Sequence, residues 1–245
     1  MSLKRQLLLI SSSAPYGYTY LQYAKKDIQD LYDRNNVKEI LFVPYALRDH
    51  DGYTSKIEKV LQDWGYKVKG IHTFKDPVSA VNSAQTIFIG GGNTFQLLKG
   101  LYDNKVLEPI RKRVLEDGIP YIGSSAGTNV ATLNICTTND MPIVQPPSFE
   151  ALALVPFNIN PHYVEPVAGD THQGETREER ILQYLEIPGN GPVLALREGA
   201  TLCVNGIKAS LNGVATAKVF YNASLGKPAE DFPVGSDLSF LFKTA

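Results

Sequence analysis

Short apolar runs bounded by turn-forming residues recur along the first half of the chain, with amphipathic stretches between them. Residues 6–11 read as a buried strand and 20–35 as an amphipathic helix. Strands are expected again at 39–44, 67–72 and 86–89, with helices at 54–64, where Gly65 ends the stretch, and at 77–83. Residues 94–102 and 106–117 carry helical spacing, and a fifth strand closes at 121–123. Apolar strands alternating with helices predict a parallel sheet covered on both faces. After Ala126 the rhythm changes. Residues 136–170 are rich in Pro and Asn and read as loops with short strands, and 177–185 returns to helix. Residues 193–196, 201–205 and 218–221 read as antiparallel strands, with turns at Asn205-Gly206 and Asn212-Gly213. No linker or repeat interrupts the chain, so residues 1–245 are expected to form one α/β domain.

Composition narrows the function classes. The 245 residues, 43% hydrophobic, suffice for one sizeable core. A net charge of −1 gives no electrostatic footprint for nucleic acid or an acidic membrane surface. Two cysteines, Cys136 and Cys203, form neither a disulfide framework nor a zinc-spaced set, which suits a reducing, cytoplasmic setting. The apolar run 7–10 is too short for a signal peptide or a membrane span.

The chemistry concentrates where strands are expected to end, the edge at which open α/β sheets bind ligands. Gly123-Ser124-Ser125-Ala126-Gly127 matches Gly-x-Ser-x-Gly, a strand–turn–helix in which small flanking residues let a serine hydroxyl stand clear of the backbone. Gly90-Gly91-Gly92-Asn93-Thr94 follows the fourth strand. Three glycines permit close approach or positive φ. Without a Gly-Lys-Ser/Thr or a Gly-x-Gly-x-x-Gly spacing, they fit an oxyanion-binding wall better than a nucleotide loop. A tight turn with Asn93 as helix N-cap is compatible with that reading, since caps and anions use the same orphan donors.

A serine nucleophile needs a base, and His is the usual one. Of His50, His72, His162 and His172, the first lies in a polar loop, the second ends a strand and the fourth lies in a polar segment. His162, in Asn158-Ile-Asn-Pro-His-Tyr beside Pro161, is the best placed. The acid that would fix its tautomer is either Asp140 or Glu198, which spacing does not separate. Arg177 opens a helix, where a cation opposes the helix dipole. That mismatch fits an anionic partner or local pairing with Glu175, Glu178 and Glu179.

Taken together, Ile-Gly-Gly-Gly-Asn-Thr-Phe-Gln-Leu-Leu (89–98), Tyr-Ile-Gly-Ser-Ser-Ala-Gly-Thr-Asn (121–129), Thr-Thr-Asn-Asp-Met-Pro-Ile-Val (137–144), Ile-Asn-Pro-His-Tyr (159–163) and Gly-Glu-Thr-Arg-Glu-Glu-Arg (174–180) resemble the peptidase E family of α-aspartyl dipeptidases. The resemblance runs from about Leu7 to Gly213 and leaves the tail uncovered. It implies a flavodoxin-like three-layer fold similar to class I glutamine amidotransferases, with a mostly parallel sheet and C-terminal antiparallel strands. It also implies a cytoplasmic serine peptidase, a monomer or homodimer, that cleaves Asp-Xaa dipeptides without metal or cofactor. Ser125 aligns with the nucleophile and His162 with the base. Asp140 is favoured as the relay acid, with Glu198 as its rival. Arg177 is implied to hold the substrate aspartate, with Asn93 and Thr94 as further substrate-binding positions. Gly91, Gly92 and Ala126 are implied to form the oxyanion hole. Ser124 departs from the pattern, standing where a bulky aromatic is usual. A cyanophycinase-like peptidase and an inactive binder on the same fold are the rival expectations.

Overall fold

The computed structural model describes residues 4–166, 169 and 174–243. In chain order its elements are β1 (Gln6–Ile10), α1 (Lys25–Asp33), β2 (Glu39–Val43), α2 (His50–Gln62), β3 (Lys67–Gly70), α3 (Pro77–Ser83), β4 (Ile87–Ile89), α4 (Thr94–Asp103), α5 (Leu107–Lys112), β5 (Pro120–Ser124) and α6 (Ala126–Asn129). They continue with β6 (Asn158–Tyr163), α7 (Arg177–Glu186), β7 (Val193–Arg197), β8 (Ala200–Asn205), β9 (Lys208–Gly213), β10 (Ala217–Phe220) and β11 (Glu230–Phe232).

The main sheet has the order β3-β2-β4-β5-β1-β8-β9. Its first five strands are parallel; β8 adds antiparallel to β1, and β9 antiparallel to β8. Alternation of side chains across the pleat builds two cores. Leu8, Ile10, Ile40, Phe42 and Phe88 pack against Ile28 and Leu31 of α1 and Ile57 and Leu61 of α2. Leu7, Leu9, Leu41, Val43 and Ile89 pack against Val81 of α3, Leu97 and Leu101 of α4 and Ile110 of α5. Both faces of β1, β2, β4 and β5 are therefore buried and these strands are apolar almost throughout, whereas β3 at the edge alternates exposed lysines with buried positions. No helix among the described residues is long and apolar enough to cross a membrane.

Three differences from the expected elements have local causes. The first helix begins at Lys25 rather than residue 20, because Leu21 takes a left-handed φ of 58° and a 3-10 turn, Gln22–Ala24, intervenes. The third strand stops at Gly70, and His72 lies in a following 3-10 turn. The later strands do not extend one sheet. β7 leaves the main sheet and builds a second one of order β11-β10-β7-β6, pairing parallel with β6 and antiparallel with β10. The chain then steps back into the main sheet as β8, with Glu198 and Gly199 forming the step.

Candidate active site

Registers across the parallel strands set Ile10 beside Ser124, Gly123 beside Ile89 and Ile89 beside Val43. The segments that follow β1, β2, β4 and β5 therefore leave the sheet at one edge, and the candidate chemistry gathers there.

The turn after β5 is built by contacts that exclude side chains. A Cβ on Gly123 would overlap the Gly127 carbonyl, and one on Gly127 would overlap the Ile89 carbonyl. Strand and helix thus pack backbone to backbone. Ser125, between them, is held at φ 54° and ψ −109°, a strained conformation for a residue with a side chain. The surroundings enforce it. The Ser125 N–H donates to the Ile10 carbonyl at 3.0 Å, and the Ser125 carbonyl accepts from the Thr128 N–H at 2.9 Å. The Thr128 hydroxyl is shared between the Ile10 and Gly123 carbonyls at 2.7 and 2.9 Å, and the buried Tyr121 hydroxyl donates to the Gly127 carbonyl at 2.6 Å. Ser124 is fully buried beneath, its hydroxyl without a hydrogen-bond partner.

His162 reaches this serine from the second sheet. β6 slips register against β7 between Asn160 and Tyr163, and His162 within that irregularity has a φ of 56°. Such a bulge re-aims a side chain. Its Nε2 lies 2.8 Å from Ser125 Oγ, and its Nδ1 lies 2.7 Å from Glu198 Oε1. Glu198 arrives there because it sits on the step between the two sheets, followed by Gly199 at φ 93°. Serine, imidazole and carboxylate form one continuous hydrogen-bonded line. In this order the carboxylate fixes a proton on Nδ1 and leaves Nε2 free to accept from the hydroxyl.

Asp140 does not occupy the place that the resemblance favours for it. Its carboxylate accepts from the Thr94 N–H at 2.7 Å and from the Thr94 hydroxyl at 2.6 Å, at the N-terminus of α4. The physical reason is the path of residues 137–141. The Asn160 amide donates to the Thr137 carbonyl at 2.8 Å and the Asn139 amide to the Pro161 carbonyl at 2.8 Å, which ties the loop to β6. Asp140 is then presented to the free N–H groups of α4, a favourable place for an anion. The expected substrate contacts Asn93 and Thr94 are engaged in the same joint. The Asn93 side chain caps α4 by accepting from the Gln96 N–H at 3.0 Å, and its amide donates to the Met141 carbonyl at 2.9 Å.

Arg177 is the first residue of α7, behind a capping box formed by Thr176 and Glu179. Among the described residues its guanidinium forms no ion pair at contact distance, and its Nε is buried without a hydrogen-bond partner. Burial, and then the neighbouring Arg180, weaken its hold on the proton, while Asp140 and Glu198 act in the opposite sense. A guanidinium remains charged under those influences. Glu178, the next residue, accepts from the Tyr163 hydroxyl at 3.1 Å and pairs with Lys218 at 3.2 Å, tying α7 to the strand that carries His162.

The triple glycine presses on the serine. A Cβ on Gly91 would stand 2.9 Å from Ser125 Cβ, and Gly92, at φ 135°, would drive a Cβ into the Ala46 carbonyl. Ala126 is the first residue of α6, so its N–H has no intrahelical acceptor. The Gly91 amide faces the Tyr53 hydroxyl, whose proton is held more tightly because of burial. A cavity of about 420 Å³ opens beside Gly91, Gly92, Ser125 and His162 and extends to α2, at the small end of ligand pockets, roughly 300–1,000 Å³. A larger cavity of about 660 Å³ lies by Cys203 and Lys208 and contains neither the serine nor the imidazole.

Of the remaining histidines, His72 Nε2 is 2.9 Å from Asp51 Oδ1, and the His50 ring packs 5.4 Å from that of His72. His172 lies outside the described residues. One polar residue at the site has no signal in the sequence. Ser11 directly follows β1, and its hydroxyl accepts from the His162 N–H at 2.9 Å. A lone serine after a strand resembles any turn residue, and its role becomes visible only when β6 is placed beside it.

Residues 7–212 match the model of peptidase family S51. The chain is 55% identical to a Drosophila melanogaster protein named "Probable alpha-aspartyl dipeptidase", over 99% of this chain and 100% of that one. It is 47% identical to a "Peptidase E" of Streptomyces coelicolor, covering 96% and 94% of the two chains. The crystal structure of a peptidase from an acI-B1 Actinobacterium superposes with a TM-score of 0.70 over 98% of both chains at 17% identity, a likeness of fold. An α/β sheet edge carrying a serine elbow, with relatives matched along their whole length, leads to one assignment: the chain belongs to peptidase family S51.

Proposed function

We propose that this protein is a serine dipeptidase that hydrolyses dipeptides with an N-terminal aspartate. The observation that carries this reading is the line Ser125–His162–Glu198, at 2.8 and 2.7 Å, with Arg177, which pairs with no described residue, in the field of its acidic end. The names of the full-length relatives supply the substrate class.

In this mechanism Ser125 Oγ attacks the Asp-Xaa carbonyl carbon as His162 Nε2 takes its proton. Glu198 holds the imidazole in the required tautomer and stabilises the imidazolium. The oxyanion that develops is met by the N–H groups of Gly92 and Ala126, with Gly91 shaping the wall. The C–N bond then breaks, His162 returns its proton to the leaving amine, and the residue Xaa departs. Water, deprotonated by His162, attacks the aspartyl ester and frees Ser125. Arg177 grips the substrate side-chain carboxylate bidentately, which a hydrophobic pocket could not do. In this reading Glu198, rather than Asp140, orients the base. Asp140 secures α4 and contributes field at Arg177.

Rates on Asp-Leu, Glu-Leu and Ala-Leu test the reading. The wild-type enzyme should prefer Asp-Leu by at least about 100-fold, the discrimination a buried charge pair supplies. Arg177→Ala should remove most of that preference. Equal rates on the three dipeptides, or equal losses on all three in the variant, would refute it.

A further inference from the structure

The cavity beside Ser125 has a second end that the proposed mechanism leaves unused. Arg177 does not line it. Its far wall is α2, which presents Gly52, Tyr53 and Lys56 at helical spacing toward the triple glycine. Lys56 is the one lysine or arginine among its described lining residues. The exposed ammonium sits over the Tyr20 ring, 4.5 Å from its centroid, and makes no ion pair with a described residue. The nearby carboxylate of Asp49 is committed to the start of α2, accepting from the Gly52 N–H at 2.9 Å. The Tyr20 hydroxyl, beside Tyr53 and Ser13, is buried without a well-formed hydrogen bond.

A dipeptide carries two negative groups when its first residue is aspartate: the aspartyl carboxylate, and the terminal carboxylate of the residue after the scissile bond. These lie on opposite sides of the carbonyl that Ser125 attacks. Arg177 serves the first. We propose that Lys56 is a specificity-determining residue that receives the second, the free α-carboxylate of the leaving residue, with the Tyr20 ring holding the ammonium over the cavity. Leu47, which precedes α2 and also lines the cavity, offers apolar surface to the Xaa side chain. A residue spans about 3.5 Å of extended chain, so a second peptide unit would displace the carboxylate from the ammonium. Lys56 thereby acts as a ruler that selects dipeptides. This inference rests on the dipeptidase reading above.

The test compares Asp-Leu with Asp-leucinamide, which lacks the terminal charge. The wild-type kcat/KM ratio of acid to amide should be roughly 10–100, expressed mainly in KM. Lys56→Met keeps the aliphatic stem on Tyr20 and should bring the ratio close to 1. Lys56→Arg should restore most of it. A wild-type ratio near 1, or a ratio that Lys56→Met leaves as it was, overturns the role of Lys56 while the dipeptidase reading stands. Failure of the wild-type enzyme to cleave either compound overturns both.

Discussion

The Ser11 hydroxyl links the two sheets at His162: it accepts from the His162 N–H at 2.9 Å and donates to the Leu196 carbonyl at 2.8 Å. Ser11 is fully buried and directly follows β1 of the main sheet, whereas His162 and Leu196 belong to the second. The bond secures the backbone of a residue at φ 56°, a conformation that surrounding structure has to enforce.

Ser11→Ala should therefore act in two ways. It leaves a buried N–H and a carbonyl unsatisfied, at a cost of about 1–3 kcal/mol. It also loosens the imidazole, so kcat should fall roughly tenfold or more, as small misplacements of a catalytic group do. Thermal melting and steady-state kinetics on Asp-Leu measure the two effects. A melting loss with normal kcat would make Ser11 purely structural.

The two candidate acids should separate cleanly. Glu198→Gln removes the carboxylate from His162 Nδ1 and should lower kcat by up to about 10⁴-fold, the loss seen when a triad carboxylate becomes an amide. Asp140→Asn weakens two charge-assisted hydrogen bonds to Thr94 and should appear chiefly as lost stability, about 1.5–3 kcal/mol. Its kinetic effect should be the smaller one. Asp140→Asn costing more in kcat than Glu198→Gln would reverse the assignment.

That separation also shows where the sequence stops being legible. Four of the parallel strands, β1, β2, β4 and β5, could be read because, buried on both faces, they are nearly continuous apolar runs; β3, at the edge, could be read from its alternation closed by Gly70. The elbow could be read because close packing of Gly123 and Gly127 restricts the residue types there. Strands β7 and β10 could be read, but not that they form a second sheet with β6. Pro161 interrupts β6, and nothing in the spacing separates β7 and β10 from β8, which returns to the main sheet; there the edge strand β9, Lys-Ala-Ser-Leu-Asn-Gly, looks like a polar turn. Without that second sheet, neither the Glu198 step nor the Ser11 link can be located, and Asp140 and Glu198 remain equivalent on spacing. Lys56 gives no signal either, since an exposed lysine on an amphipathic helix is the ordinary case. It stands out only against the cavity wall.

The elbow glycines yield a prediction about folding. Gly127→Ala would place a methyl on the Ile89 carbonyl, and Gly123→Ala would place one on the Gly127 carbonyl, backbone atoms that cannot swing away. Each should cost roughly 1–3 kcal/mol or more. Gly191→Ala, where an added Cβ meets nothing within 4 Å and φ is not positive, should be nearly neutral. Denaturant midpoints of the three variants check this. Equal stabilities would show that the strand–helix contact is looser than described.

Ser125 is the attacking group of the proposed mechanism, and Ser125→Ala measured on Asp-Leu tests that most directly. With circular dichroism and melting essentially preserved, kcat should fall by roughly 10⁴–10⁶-fold, the loss typical of a removed serine nucleophile. A folded Ser125→Ala protein that turns over Asp-Leu within about tenfold of the wild-type rate would contradict it.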